Sequence, residues 1–221
     1  MKGEKVLKYG LIGSNGRLGA EVINVFAEAG HNLVFEYNKL YDLKDEAPQI
    51  IIDCSLPEVF DKTIEFVNEY KAPLIIATTG LKEEHFNKLR EVAETVPVVQ
   101  SFNFSVGIQV LIKIAQEVQK TVPDWDIEIS EIHHRFKKDI PSGTAIMMKE
   151  ALSDEKINIS SLRLGNVAGI HTAHFGGLGE VLSITHEAIS RRTFAEGILR
   201  SANFIQSKKN GLFTFKDVVF N

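Results

Sequence analysis

Cysteine is nearly absent from this sequence: Cys54 is the single one among 221 residues. No internal disulfide can form, so the fold is expected to rest on its core, and a reducing cytoplasm suits the composition. No apolar run reaches membrane-spanning length, and Met1 to Lys5 lead into a strand-like run without the apolar segment of a secretory signal. Neither a membrane nor export is expected. Positive charge is not in excess: 25 Lys and Arg against 29 Asp and Glu leave a formal net charge of −4, which argues against a general nucleic-acid surface. Repeats and low-complexity segments are missing as well. With 44% hydrophobic and 24% charged residues, the chain can build an ordinary globular core without metal or disulfide staples.

Strand-like and helix-like segments alternate over residues 6 to 104. Strands are expected at Val6 to Ile12, Leu33 to Tyr37, Gln49 to Asp53, Pro73 to Ala77 and Val96 to Gln100. Helices are expected at Arg17 to Ala29, Pro57 to Tyr70 and Lys82 to Thr95. This alternation implies an α/β fold with a Rossmann-like, doubly wound parallel sheet. The pattern then changes. A long helix over Val106 to Lys120, a half-exposed strand over Asp126 to His134, a helix over Ser142 to Leu152 and a strand over Gly179 to His186 suggest a second, smaller α+β domain. Arg192 to Gln206 read as a helix and Gly211 to Phe220 as a last strand. The expected division is residues 1–104 plus 191–221 for dinucleotide binding, and 105–190 for substrate binding and oligomerisation.

The first strand runs into Gly13-Ser14-Asn15-Gly16-Arg17-Leu18-Gly19. Glycines so spaced allow a tight turn and close approach to a pyrophosphate, whose charge the following helix amides would bind. Glu36, near the end of the second strand, suits the free ribose hydroxyl of NADH, with a solvated strand-end carboxylate as the lesser alternative. Arg17 and Lys39 could instead receive the extra phosphate of NADPH, so NADH or NADPH stays open. Ala77-Thr78-Thr79-Gly80 and Ser101-Phe102-Asn103-Phe104 fall where the carboxyl edge of the sheet should lie, either as cofactor contacts or simply as turns.

The densest chemistry lies in Glu131-Ile132-His133-His134-Arg135-Phe136-Lys137-Lys138-Asp139-Ile140-Pro141-Ser142-Gly143-Thr144-Ala145. Odd positions share one strand face, so Glu131 could orient His133 or stabilise its charged form. Three cations follow, and then Ser142, a good N-cap, opens a helix whose Gly143 and Thr144 amides would face an incoming anion. Proton donor, lysine and anion-receiving helix start together suit an acidic substrate that must be protonated. Taken singly, the cations could be a solvated loop and Ser142 only a cap. Adjacent strand histidines point to opposite faces and no cysteine or third histidine lies nearby, so no metal is expected.

The run from Glu131 to Ala145 resembles the signature E-x-H-H-x-x-K-x-D-x-P-S-G-T-A of the dihydrodipicolinate reductases, with every fixed position present. The similarity extends through the glycine turn, Asp53 to Pro57, Ala77 to Gly80, Asn103 to Gly107, His171 to Ala173, Ile184 to His186 and Ser190 to Ala195. The resemblance implies a Rossmann domain, a substrate domain and a homotetramer joined through the substrate-domain sheets. It implies hydride transfer from NADH or NADPH to a cyclic, doubly carboxylated imine of the lysine (diaminopimelate) pathway. By the same resemblance His133 is the proton donor and Lys137 a second donor or substrate anchor, while His134, Ser142, Gly143 and Thr144 hold the carboxylates. Gly13, Ser14, Asn15, Gly16, Arg17, Leu18, Glu36, Ala77, Thr78, Thr79, Ser101, Phe102, Asn103, Phe104 and Arg191 would serve the cofactor.

The chain departs from the family pattern at Cys54, Ser55, Leu56 and Ala77, all on the cofactor side. It is also short, mainly between Leu152 and His171 and around Phe175 to Gly179, where outer loops are expected. An amino-acid dehydrogenase of aspartate or homoserine type would need the glycine turn but not the paired histidines with Lys137 and Ser142 to Thr144. A non-catalytic NAD(P)-binding regulator would need neither His133 nor Lys137.

Overall fold

The computed structural model describes residues 6–38, 42–44, 46–153 and 155–221, so Lys39 lies outside the described residues. The chain forms two compact units, leaving the first after Phe104 and rejoining it at Phe194, where 191 was expected; Ser105–Thr193 make the second.

Apolar runs give the first unit most of its strands, β1 (Lys8–Ile12), β2 (Asn32–Tyr37), β4 (Ile50–Asp53), β5 (Leu74–Ile76) and β6 (Pro97–Gln100), and the short β3 (Asp42–Lys44) is added between β2 and β4 in the chain. They lie in the order β6-β5-β4-β1-β2-β3. All neighbours are parallel except β3, which runs antiparallel to β2 and was not expected. All four residues of β4 are buried, as befits a strand covered on both faces. The covering helices are α1 (Arg17–Glu28), α2 (Phe60–Tyr70), entered through a tight turn at Pro57–Val59, and α3 (Glu83–Ala93). Because β1 lies between β2 and β4, the connections leave it in opposite directions and open a crevice at its carboxyl end.

The second unit holds α4 (Val106–Thr121), β7 (Asp126–His133), α5 (Gly143–Leu152), β8 (Asn158–Arg163), β9 (Ile170–Gly176) and β10 (Val181–Glu187). Its sheet order is β10-β9-β7-β8, with β7 parallel to β8 and antiparallel to β9. Ile108, Leu111, Ile129, Ala145, Met148 and Phe175 form its core. The interval from Leu152 to His171, expected to carry outer loops, contains β8 and the start of β9 instead. Polar NISSLR alternates exposed and half-buried positions, which hid β8 from a search for apolar runs.

α6 (Arg192–Ile205) then returns the chain to the first unit, and β11 (Gly211–Thr214) adds a parallel strand beside β6. Gly197 lets α6 lie against the backbone: a Cβ there would stand 1.7 Å from the Phe104 carbonyl oxygen. The last strand stops at Thr214 rather than running to Phe220. Thr214 and Asp217 form a reciprocal capping box, Thr214 N donating to Asp217 Oδ2 at 2.8 Å, and α7 (Phe215–Phe220) begins there.

Candidate functional site

In the first unit, Gly13, Ser14, Asn15 and Gly16 form the turn from β1 to α1. Gly13 has φ +84°, and a Cβ on it would lie 2.8 Å from the Cys54 carbonyl oxygen. A Cβ at Gly19 would be 2.3 Å from the Gly13 carbonyl oxygen, so α1 approaches the strand closely only because residue 19 has no side chain. Beside this turn is a cleft of about 540 Å³ whose lining includes Gly13, Asn15, Gly16, Asn38, Leu56 and Lys62. The glycine cradle, the open helix start and the size of the cleft fit a dinucleotide. Glu36 accepts from the Ser14 hydroxyl and, at 3.0 Å, from Asn38 Nδ2, which fixes the carboxylate beside the turn. Arg17 is exposed in the first turn of α1, and Leu18 packs on the core.

The loops at the carboxyl edge meet at Asp53, a fully buried carboxylate ending β4. It accepts from Ser55 N at 2.8 Å, Ser55 Oγ at 2.5 Å, Thr63 Oγ1 at 2.9 Å and Thr78 Oγ1 at 2.9 Å. Burial raises its pKa, opposed by these donors. The Thr78 hydroxyl is thereby committed, while Ala77 is half-buried and Thr79 exposed. Ser101 Oγ donates to the Asn103 carbonyl at 2.8 Å and closes the next turn. Phe102 stands edge-on to Phe86, whereas the Phe104 ring is buried against Phe215 and its carbonyl lies under Gly197 of α6. Arg191 differs from the other cofactor candidates in belonging to the second unit. Asn38 and Lys62 were not singled out in the sequence: neither lies in a motif, and only the fold brings them to the cleft.

In the second unit β7 buries Ile129, Glu131 and His133 on one face. His133 Nδ1 donates to Glu131 Oε2, so the neutral tautomer leaves Nε2 as the other ring nitrogen. Burial lowers the His133 pKa below the ordinary imidazole value, and Glu131 opposes that shift. For Glu131 itself burial acts upward, but hydrogen bonds from Arg163 and His133 hold the carboxyl down at about 2. Ser142 caps α5, its hydroxyl accepting from Ala145 N at 3.2 Å, and its own amide donates to Glu131 Oε1 at 3.3 Å. Gly143 and the buried Thr144 open the helix. His134 is buried too, its amide donating to the Val167 carbonyl at 2.8 Å. Lys137 pairs with Asp139 at 2.8 Å. The Asp139 carboxyl is desolvated, yet Lys137 and the Gly143 amide lower its pKa.

Three groups around this centre were given no role from the sequence, although His171 lies in a stretch that carries the family resemblance. Arg163 ends β8, a strand without an apolar signature. His171 on β9 is buried beneath His133, with ring centroids 5.0 Å apart, and contacts Ser142 Oγ at 3.2 Å. Burial, followed by the neighbouring His133, lowers its pKa to about 3. Gly169 packs against the His133 ring.

A Rossmann-like unit with a glycine-lined cleft, joined to a unit carrying a buried histidine–glutamate pair beside a capped helix start, defines the class: a nicotinamide-dependent oxidoreductase. Models of the dihydrodipicolinate reductase N-terminus and C-terminus match residues 29–104 and 107–219. The chain belongs to this family. It is 43% identical to the 4-hydroxy-tetrahydrodipicolinate reductase of Thermosipho africanus, covering 96% of this chain and 98% of that protein. The enzyme of the same name from Rickettsia africae is 36% identical over 238 aligned positions, covering 96% and 99%. Among solved structures, the dipicolinate-bound dihydrodipicolinate reductase of Paenisporosarcina sp. TG-14 shares the fold, with a TM-score of 0.77 at 20% identity over 96% of this chain and 99% of that one. Aspartate dehydrogenase from Thermotoga maritima is less alike, with a TM-score of 0.56 at 15% identity over 92% and 98%.

Proposed function

We propose that this chain reduces 4-hydroxy-tetrahydrodipicolinate, by way of dihydrodipicolinate, to tetrahydrodipicolinate in diaminopimelate and lysine synthesis. The observation that carries this reading is the His133–Glu131 pair on the strand leading into the Ser142–Thr144 helix start. A nicotinamide nucleotide, NADH or NADPH, supplies the hydride when bound. Gly13, Asn15, Gly16 and the helix amides behind them would hold its pyrophosphate, with Glu36 toward the adenosine ribose. His133 delivers the proton from Nε2 that balances the added hydride, while Glu131 supports the charged ring. Gly143 and Thr144 receive one carboxylate of the substrate. Lys137 takes the other by exchanging Asp139 for it, with His134 beside them. An aspartate or homoserine dehydrogenase leaves the His133–Glu131 pair and Lys137 without a task.

Homotetramer formation through the second-unit sheet is part of the proposal. It is supported by strand β10, where Val181 and Leu182 are exposed. Among the described residues no helix is long and apolar enough to cross a membrane. The lone Cys54 supports a cytoplasmic setting.

The test is a coupled assay in which the imine is generated from pyruvate and aspartate semialdehyde while NADH or NADPH absorbance is followed. Consumption is expected; none with either nucleotide sinks the proposal. His133→Ala should lower kcat by roughly 10²–10⁴-fold without changing nucleotide affinity. Lys137→Met should damage both kcat and KM.

A further inference from the structure

We propose that Arg163 and Glu131 are positioning residues that join proton donation by His133 and anion capture at the Ser142–Thr144 turn into one coupled unit. This inference rests on the function proposed above. Both oxygens of Glu131 are shared in the same way. Oε2 takes Arg163 Nη1 at 3.0 Å and the His133 Nδ1 donor. Oε1 takes Arg163 Nη2 at 2.9 Å and the Ser142 amide at 3.3 Å. One carboxylate thus holds the acid through one oxygen and the helix start through the other, while the guanidinium fork fixes the plane in which both bonds lie.

Arg163 is itself anchored from two sides. Nη1 donates to the Leu162 carbonyl at 2.8 Å and Nη2 to the Asp139 carbonyl at 2.6 Å. The second bond reaches the residue whose carboxylate pairs with Lys137, so the fork on β8 organises the loop carrying the substrate anchor as well. A lysine could supply the charge but not two parallel bonds plus two backbone anchors.

The charged and titratable groups facing His133 are Glu131 on its own strand, Arg163 on β8, Lys137 in the following loop and His171 on β9. His171 is buried and neutral near pH 7, so it supports the ring without adding charge. When a dianion arrives at the turn, it favours protonation of His133. By reciprocity, protonation of His133 tightens binding of the anion. Glu131 is the hydrogen-bonded link between the two events.

The experiment uses pyridine-2,6-dicarboxylate, a flat dianion with the two carboxylates of the substrate. Calorimetry of the unmodified protein near pH 7, in buffers of different ionisation enthalpy, should show proton uptake on binding, and His133→Gln should abolish it. Glu131→Gln should weaken the dicarboxylate about tenfold and move the alkaline limb of kcat down by about 1–2 pH units. Arg163→Lys should shift both in the same direction. Absence of proton uptake in the unmodified protein overturns the proposal even if the variants fold poorly. So does a Glu131→Gln protein that melts lower but keeps the dicarboxylate affinity and pH limb unchanged, since a purely structural ion pair would behave that way. An unmodified protein that consumes no nucleotide in the coupled assay refutes the function instead, while the calorimetry still decides the coupling.

Discussion

Gly169 lies against the Nε2 edge of His133, the edge proposed to deliver the proton: a Cβ at residue 169 would stand 3.1 Å from Nε2. The opposite ring nitrogen is held by Glu131, so the ring cannot yield by rotation without losing that bond. Gly169→Ala should therefore crowd the atom that meets the substrate. We expect kcat to fall about tenfold, equivalent to about 1.4 kcal/mol in the barrier, with nucleotide affinity unchanged. Steady-state kinetics that return the unmodified kcat would show that Nε2 is not the donating atom.

His171 makes stability depend on pH. Its folded pKa, about 3, lies below the ordinary histidine value of about 6.5 in an unfolded chain. Between those values the unfolded chain binds a proton that the folded protein refuses, so stability falls as pH falls and is fully present above about pH 6.5. The limiting slope for one proton is about 1.4 kcal/mol per pH unit. His171→Gln should flatten the stability profile between about pH 5 and 6, a window in which carboxylates titrate little. Urea unfolding of both proteins at several pH values measures this; parallel profiles would contradict it.

Asp139 competes with the substrate in the proposed mechanism, since its carboxylate pairs with Lys137 at 2.8 Å. Asp139→Asn should release the ammonium and lower the Kd for pyridine-2,6-dicarboxylate by several-fold. A raised Kd would mean that Asp139 aims Lys137 rather than shielding it.

Glu36, tied to Ser14 and Asn38, should set the nucleotide preference. Both nucleotides are expected to work within about two orders of magnitude of each other in kcat/KM, because opposed charges shift binding by only about 1–3 kcal/mol. Glu36→Ala should reduce use of NADH more than of NADPH. Equal losses would assign the carboxylate to holding the turn.

The parts legible in the sequence carry their own local signal. Apolar runs and the glycine turn gave the parallel sheet and its crevice, and strand periodicity alone places Glu131 on the face of His133. The roles of Arg163, Gly169 and His171 were not legible, because strand pairing brings Arg163 and His171 to the site and Gly169 comes with the start of β9. Glu131 stands opposite Ser161 on β8 and His171 on β9, and no local pattern records that register. β8 was missed because its half-buried face carries Ile159, Ser161 and Arg163, a single apolar residue among polar ones. The chain end differs for another reason: the reciprocal cap of Thr214 and Asp217 starts a helix within the apolar run that reads as one strand.

The return of the chain to its first sheet has a consequence for synthesis on the ribosome. Ala195, Ile198, Ala202, Ile205, Phe215 and Val218 belong to the same core as Leu11, Ile52 and Val99. A nascent chain that has emerged only as far as Thr193 holds every residue of the second unit, yet lacks nearly all of α6 and the whole of α7, which share with α1 the cover of one face of the first sheet. The segment inserted in the middle can thus mature before the one that begins the chain. A nascent chain halted at that point would hold the whole second unit, while the sheet face that α1 shares with α6 and α7 is still only partly covered.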